Sequence, residues 1–435
     1  MERFALSRMK EWKETENRKP LIIRGARQVG KTWIMKTFGQ QYFEKTAYVN
    51  FDNNARMKQV FEGDLDIERL VLAISAETGV SIEAENTLII FDEIQEVPKA
   101  LTSLKYFHEN APQYAIVAAG SLLGVALHQG TSFPVGKVDF LDLYPLNFRE
   151  FLCAMGEKQF VSILDSCDTQ MVTVFKTKYI ERLREYYFVG GMPEVVKDFS
   201  EKKDYNRVRV IQKNLINYYQ QDFSKHAEIK LVPRLNLVWN SIPMQLAKEN
   251  KKYIYGQVRE GSRAKDFELA IQWLLDCGLI HKVQRIQKPD LPLKAYIDFD
   301  AFKLFLVDIG LLIAMTDLDA KVIIEGNKIF TEFKGALTEQ YILQQLISDV
   351  GVIPYYYSTQ NSKGEIDFLV QGKTSVIPIE VKAEENLKAK SLKAFCEKYQ
   401  PSYAVRTSMS DYREQDWMTN IPLYAIKWIE NYVNQ

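Results

Sequence analysis

Apolar positions along the chain fall first at helical spacing and then in short unbroken runs, and the alternation of the two predicts the N-terminal third. Phe4, Leu6, Met9 and Trp12 lie near one face of a helix over residues 2–17. Leu21-Ile22-Ile23, Thr46-Ala47-Tyr48-Val49-Asn50-Phe51, Leu88-Ile89-Ile90-Phe91 and Tyr114-Ala115-Ile116-Val117-Ala118-Ala119 are the runs. Such runs fit strands buried on both faces of a parallel sheet. Lys137 to Leu143 alternates apolar and polar residues and reads as a last strand before Tyr144-Pro145. Helical stretches separate the strands: a charged one through Met57, Val60 and Phe61 to Leu70, and another from Ala100 to Asn110, opened by Pro98. Strands alternating with helices predict a wound, mostly parallel sheet with its ligand at the carboxyl edge.

Beyond Pro145 the periodicity changes. From Phe148 to about Phe223 it is helical, interrupted at Val189-Gly190-Gly191-Met192-Pro193, which is too rich in glycine and proline to continue a helix. Residues 230–315 read as a winged helix: a helix Leu235 to Lys248, a short element at Tyr253–Val258, and a helix Ala264 to Cys277 capped by Gly278. Extended stretches His281 to Ile286 and Leu293 to Ile297 follow. Further on, a helix begins at Gly335, and strands are expected at Tyr355-Tyr356-Tyr357, Gly364 to Val370 and Val376 to Lys382.

The first chemistry sits where the first strand meets the first long helix. Gly25-Ala26-Arg27-Gln28-Val29-Gly30-Lys31-Thr32 is a G-x-x-x-x-G-K-T loop in strand–loop–helix context, and Trp33 continues into the helix. The glycines let the backbone wrap an anion closely, and the loop amides and helix N-terminus direct positive charge at phosphate oxygens. Lys31 should reach the β- and γ-phosphates, and the Thr32 hydroxyl should take a place on Mg²⁺. The strand Leu88–Phe91 ends in Asp92-Glu93, the companion motif of P-loop ATPases. Asp92 is placed to hold Mg²⁺, and Glu93 to orient and deprotonate the attacking water. The strand Tyr114–Ala119 ends in Gly120-Ser121, so Ser121 is either a sensor of the γ-phosphate or a helix N-cap.

Gly-Ala-Arg-Gln-Val-Gly-Lys-Thr, Ile-Ile-Phe-Asp-Glu-Ile-Gln and Ala-Ala-Gly-Ser-Leu-Leu together resemble the DUF4143-containing group of prokaryotic AAA-type ATPases, similar to archaeal ATPases of the STAND type. The resemblance covers essentially the whole chain. It implies ATP and Mg²⁺ as cofactors, and an AAA-type core with an extra strand between the P-loop strand and the Asp-Glu strand. It also implies a helical lid whose Gly191-Met192-Pro193 segment packs near the adenine, against the plainer reading of an interhelix turn. This class is expected to use an arginine finger; Arg27, Arg149, Arg182 and Arg184 are the candidates, and nothing in the sequence chooses among them.

The C-terminal pattern carries a second candidate site. Strand periodicity puts Glu380 and Lys382 on one face, with Asp367 a hairpin's length upstream and Glu339 on the preceding helix. Converging carboxylates beside a lysine suit phosphodiester hydrolysis with Mg²⁺ or Mn²⁺. Gly-Glu-Ile-Asp…Ile-Glu-Val-Lys resembles the PD-(D/E)xK nuclease fold, with Ile366 in place of the family's proline. The expectation is a shared metal site of Glu339, Asp367, Glu380 and Lys382, active or relict. The full chain then reads as an α/β multidomain protein. A P-loop AAA-type core spans 1–147, a helical lid 148–229, a winged helix 230–318 and a restriction-endonuclease-like α/β domain 319–435.

Composition narrows the partners. The 56 Lys and Arg residues balance 56 Asp and Glu, which argues against a uniformly basic nucleic-acid coat but leaves room for a local basic face. Arg259, Arg263 and Lys265 could touch DNA phosphates, yet Glu260, Asp266 and Glu268 dilute that charge. Cys153, Cys167, Cys277 and Cys396 stand far apart without a C-x-x-C pair, which excludes a disulfide framework and suits a reducing cytoplasm. The chain opens on a charged amphipathic helix rather than a signal peptide, and no stretch approaches 18 uncharged apolar residues, so no membrane partner is expected. ATP, DNA and a second copy of the chain remain as candidate partners.

Overall fold

The computed structural model describes residues 1–120, 133–248, 251–324, 331–359, 364–385 and 389–435. The chain divides into two compact units. One comprises residues 2–144 with 276–279, the other essentially residues 145–275 and 280–435.

The first unit is built on β1 (Leu21–Arg24), β2 (Lys45–Asn50), β3 (Thr87–Asp92), β4 (Ala115–Ala119) and β5 (Asp139–Asp142). These form a five-stranded sheet in the order β2-β3-β4-β1-β5, and every pairing is parallel. The continuous apolar runs are buried as a two-sided sheet requires: all six residues of β3 and all five of β4 are inaccessible. β4 lies between the P-loop strand and the Asp-Glu strand, the order expected from the resemblance. The charged stretch read as one helix is two, Ala55–Glu62 and Ile67–Thr78. Asn54 and Asp66 each start one, their side chains accepting from Met57 N and Arg69 N, and that is why the run cannot continue through. Phe51, Phe61 and Phe91 form a tight aromatic group with ring centroids 5.4–5.8 Å apart, and Phe107 joins through Phe91 at 6.5 Å. This cluster anchors the end of β3 immediately before Asp92.

In the second unit, a helical stretch from Phe148 to His226 precedes an eight-stranded sheet. Its strands are β6 (Ile280–Ile286), β7 (Ile297–Leu306), β8 (Tyr355–Ser358), β9 (Glu365–Gln371), β10 (Val376–Val381), β11 (Val405–Ser408), β12 (Arg413–Glu414) and β13 (Thr419–Pro422). Their order is β12-β13-β11-β10-β9-β8-β6-β7. Helices Val232–Leu246, Tyr255–Val258 and Ala264–Asp276 precede the β6–β7 hairpin. The hairpin, however, does not stand alone. β6 pairs in parallel with β8, Arg285 against Tyr356 and Ile286 against Tyr357. One sheet therefore runs across position 318, where the sequence suggested a boundary. The second arm of the hairpin is Ile297–Leu306; Leu293–Tyr296, read as extended, is a single 3-10 turn.

The Gly190–Pro193 break is an interhelix turn between Lys176–Val189 and Pro193–Lys202. Its glycines are required by close approach. A Cβ on Gly190 would lie 2.2 Å from Asp308 Oδ1, and one on Gly191 2.1 Å from the Leu146 carbonyl oxygen. The buried Asp308 carboxylate accepts from Gly191 N at 2.6 Å and from Leu311 N at 3.1 Å, so it closes the turn and caps the Ile309–Met315 helix together. Burial pushes Asp308 up to about 6, against those hydrogen bonds. Met192 is buried and Pro193 opens the following helix.

Candidate functional site

The loop after β1 has the backbone its sequence demands. Gly25 (φ 145°) and Gly30 (φ 95°) occupy positions that disfavour a Cβ, and Gln28 (φ 66°) adopts the left-handed region between them. A Cβ on Gly25 would sit 2.1 Å from the Leu143 carbonyl oxygen. Gly30 is the N-cap of the Lys31–Tyr42 helix and brings no side-chain cap. The first N–H groups of that helix have no intrahelical acceptor, and no N-cap oxygen takes them up, so they suit an anion. Two contacts not anticipated from sequence hold the loop. Arg3 donates to Val29 O at 3.0 Å and to Tyr144 O at 2.6 Å. Gly278, at φ +69°, comes so near that a Cβ there would lie 3.1 Å from Ala26 N.

Lys31 is buried, and its ammonium folds onto the loop, donating to Gly25 O at 2.9 Å and Ala26 O at 2.8 Å. Burial pushes its pKa down to about 8, with the charges of Glu93 and Asp92 opposing the shift. Asp92 ends β3 and is also buried. Its Oδ2 accepts from the Thr32 hydroxyl at 2.7 Å and from the Tyr48 hydroxyl at 2.9 Å, and its Oδ1 from Glu93 N at 3.1 Å. The two halves of the sequence motif thus meet through a direct hydrogen bond. Tyr48 had no motif to mark it; its signal is position alone, two residues short of Asn50, which lies beside Asp92 in the parallel register. Glu93 takes a left-handed conformation (φ 51°, ψ 44°), and its Oε2 accepts from Gln95 Nε2 at 2.7 Å. A non-glycine residue held there costs on the order of 1–2 kcal/mol, a strain that tends to persist at functional sites. Trp33 is exposed in the first turn of the helix. An ammonium, a hydroxyl, a buried carboxylate and open helix amides make a donor set that fits a magnesium-bound polyphosphate. Ser121 lies outside the described residues.

Residues 17–152 match the family model of an AAA domain. They form an AAA-type P-loop domain. Residues 180–322 match a domain of unknown function, DUF8612, and residues 334–426 match another, DUF4143. Among solved structures, a Walker-type ATPase of Pyrococcus abyssi is similar at 14% identity and a TM-score of 0.44, over 72% of this chain and 95% of that one. Drosophila ORC bound to DNA is similar at 13% identity and a TM-score of 0.26, over 69% of this chain and 90% of that one. No curated protein matches.

The second candidate site does not assemble as expected. β8 and β9 pair Tyr355 with Leu369 but Tyr357 with Ile366, two steps on one strand against three on the other. This bulge breaks the alternation on which the shared site depended. Tyr357 packs its ring on Phe395 and Tyr399 of the Lys390–Tyr399 helix, at 5.4 and 5.6 Å. On the other face of the sheet, the neighbouring Tyr356 carries Lys303 Nζ 4.8 Å from its ring. Asp367 belongs to the Lys303 face: burial first, then the charge of Glu339, raise it to about 8, and Lys303 and Lys251 oppose. Glu380 belongs to the other, where burial and then the Glu380 charge raise the Cys396 thiol. Its salt bridge is to Lys382 at 2.8 Å. Asp367 Oδ2 accepts from Val381 N at 2.7 Å, so the Asp367 and Glu380 carboxylates are engaged by different partners.

Lysines occupy the Glu339–Asp367 side instead. Lys251 Nζ lies 2.6 Å from Glu339, and Lys303 Nζ lies 3.5 Å from Glu339 and 2.5 Å from Glu365. Although burial opposes it, Lys251 and Lys303 hold Glu339 below the usual carboxylate range. Among the described residues, no three His, Cys, Asp or Glu side chains gather in a group able to hold a metal ion. The three finger candidates of the second unit are engaged as well: Arg149 with Asp349 and Asp165, Arg182 with Glu157 and Glu185, and Arg184 with Ile324 O. Among the described residues, no helix is long and apolar enough to cross a membrane.

Proposed function

We propose that the chain binds ATP with Mg²⁺ and hydrolyses it in the AAA-type domain, and that its second unit is a binding module without nuclease chemistry. The observation that carries the ATPase reading is the 2.7 Å hydrogen bond between Thr32 and Asp92, which brings the P-loop and Asp-Glu motifs into one site. In this reading Thr32 and Asp92 hold the ion. Mg²⁺ held there would supply positive charge against the charge that develops on the phosphate oxygens. Lys31 exchanges the carbonyls of Gly25 and Ala26 for phosphate oxygens, an exchange helped by its burial, since a charged group in a dry site gains most from a charged partner. The helix amides after Gly30 hold the phosphate chain in place. Glu93, fixed by Gln95, orients water and accepts its proton.

The second half of the proposal rests on the separation of Asp367 from Glu380 and on the lysines that already neutralise Glu339. The proposal takes nucleotide state as the control and the second unit as what is controlled. The test uses purified full-length protein. Phosphate release from ATP is measured with Mg²⁺, with Mg²⁺ withheld by chelation, and with linear or branched DNA added, while the DNA is followed for cleavage with Mg²⁺ and Mn²⁺. Magnesium-dependent release with intact DNA is expected. Absence of release under all conditions overturns the ATPase reading. Metal-dependent cleavage lost in Asp367→Ala overturns the module reading.

A further inference from the structure

A cavity of about 620 Å³ lies in the second unit, away from every residue discussed above except Cys396 and Cys167. Its walls are residues 401–404, the turn joining β12 to β13, and the Ile429–Val433 helix. The volume falls in the range of small-molecule sites, about 300–1,000 Å³. Five aromatic side chains line it: Tyr403, Tyr412, Trp417, Trp428 and Tyr432. Contacts orient the four other than Trp417, which is exposed. The Trp428 indole donates to Leu164 O at 2.7 Å, Tyr412 meets Trp428 edge-on at 5.7 Å, and Tyr403 meets Tyr432 edge-on at 5.5 Å. Tyr412 and Tyr432 are also joined through their hydroxyls.

The charge of the lining is one-sided. Glu414 and Asp416 stand exposed at its edge, and among the described residues that line it none is Lys, Arg or His. Such a cavity disfavours phosphate and nucleotide, which need cations or open amides. It favours a cation, and the aromatic faces favour one that sheds its water easily. A compact, strongly hydrated metal ion does not, whereas an alkylated ammonium does, because its charge is spread over methyl groups that pack against rings.

We propose that this cavity binds an alkylated ammonium group, carried either by a free small molecule or by a methylated lysine side chain. Trp417 and the edge-paired tyrosines supply aromatic faces, and Glu414 and Asp416 supply the attracting field at the mouth.

The experiment titrates the full-length protein with choline, with a peptide bearing trimethyllysine, and with 3,3-dimethylbutan-1-ol, which has the shape of choline without its charge. Tryptophan fluorescence reports binding. Choline or the peptide should saturate at millimolar concentration or below, and the neutral alcohol should bind at least about tenfold more weakly. The tighter of the two cations identifies the source. Trp417→Ala, a change on an exposed turn, should weaken cation binding about fivefold. Because it also removes one fluorophore, its affinity is read by calorimetry. Glu414→Gln combined with Asp416→Asn should weaken binding further at low salt. Equal binding of the alcohol and choline, no saturable binding of either cation, or unchanged affinity in Trp417→Ala would each overturn the proposal.

Discussion

The P-loop site and the C-terminal acid cluster were both legible as patterns of charge beside strands, yet only one is a single site. In the first unit, Lys31 and Thr32 come from one contiguous loop, and Asp92 stands at the end of a parallel strand whose register is fixed along six residues of β2. In that arrangement only Asp92 depends on which face of a strand its side chain takes, and it stands at the end of an uninterrupted β2–β3 register. In the second unit, Asp367 and Glu380 would converge only if alternation held across the β9–β10 hairpin. A bulge beside Asp367 breaks it. Local motifs survive irregularity because their geometry is carried by the loop itself; cross-strand constellations inherit every irregularity between their members.

The strongest way to break this contrast is to remove the groups placed on the phosphates. Lys31→Ala should lower ATP turnover by at least ~100-fold, since a preorganised donor aimed at developing charge is worth about that much, and should weaken nucleotide binding. Glu93→Gln should lower turnover by ~100-fold or more through loss of proton transfer but retain binding, because Asp92, Thr32 and Lys31 are untouched. Phosphate release and nucleotide binding measured side by side separate the two. Wild-type turnover in either variant removes that residue from the mechanism. The same substitutions applied to the second site, Asp367→Ala and Glu380→Ala, should leave DNA intact exactly as in the parent chain.

A second comparison is energetic. Lys303 is fully buried between Glu339 and Glu365, so Lys303→Met leaves Glu365 without its lysine and Glu339 with Lys251 alone. The cost should be about 3–5 kcal/mol, read as a fall in the denaturation midpoint of the second unit. Conversion of Arg207, whose partner Asp198 is on the surface, should cost less than about 1 kcal/mol. Equal effects would mean that the buried lysine is not the keystone of the cluster.

The first four strands of the first unit were readable because apolar runs and their flanking turns specify a two-sided sheet, and the fifth because its residues alternate. Of the site, the meeting of Thr32 with Asp92 was readable from the two motifs; Arg3, Tyr48 and Gly278 were not, because each acts through a contact distant in sequence. Position 318 was misread because a hairpin that looks complete in sequence lends its edge to β8. The lysines of the acid cluster escaped notice for a related reason: Lys251 and Lys303 lie far from Glu339 in the chain, on elements assigned to another domain.

The cluster also sets a pH test. Asp367 is raised to about 8 in the folded chain, whereas an unfolded aspartate titrates near 3.9. Folding therefore takes up a proton between these values, so stability falls as pH rises from about 4 to about 8 and levels off above. Asp367→Asn removes this dependence. Hydrogen exchange of β9 and the Thr331–Gln345 helix should slow in the variant relative to the parent chain, with the difference growing from pH 5 to pH 8 at rates corrected for intrinsic exchange. Asp308, raised to about 6, adds a decline over the lower part of the range in both proteins and cancels in the comparison. A difference that does not change with pH would show that Asp367 is ionised throughout.

The smallest effect sharpens the first site. Tyr48→Phe deletes one of two hydroxyls on Asp92 Oδ2 and retains the ring, which lies 3.7 Å beneath Lys36 Nζ. With Thr32 serving the ion in the proposed nucleotide-bound state, Tyr48 would be the remaining side-chain donor to that oxygen. Its removal lets the carboxylate rotate, so the loss should appear in the Mg²⁺ dependence rather than in the chemical step. The Mg²⁺ concentration for half-maximal turnover should rise by about tenfold, the worth of one hydrogen bond of ~1.4 kcal/mol, while turnover at saturating Mg²⁺ stays within about twofold. A fall in saturated turnover with unchanged Mg²⁺ dependence would place Tyr48 in water activation beside Glu93, and no change in either would leave Thr32 and the Glu93 amide as sufficient to hold Asp92.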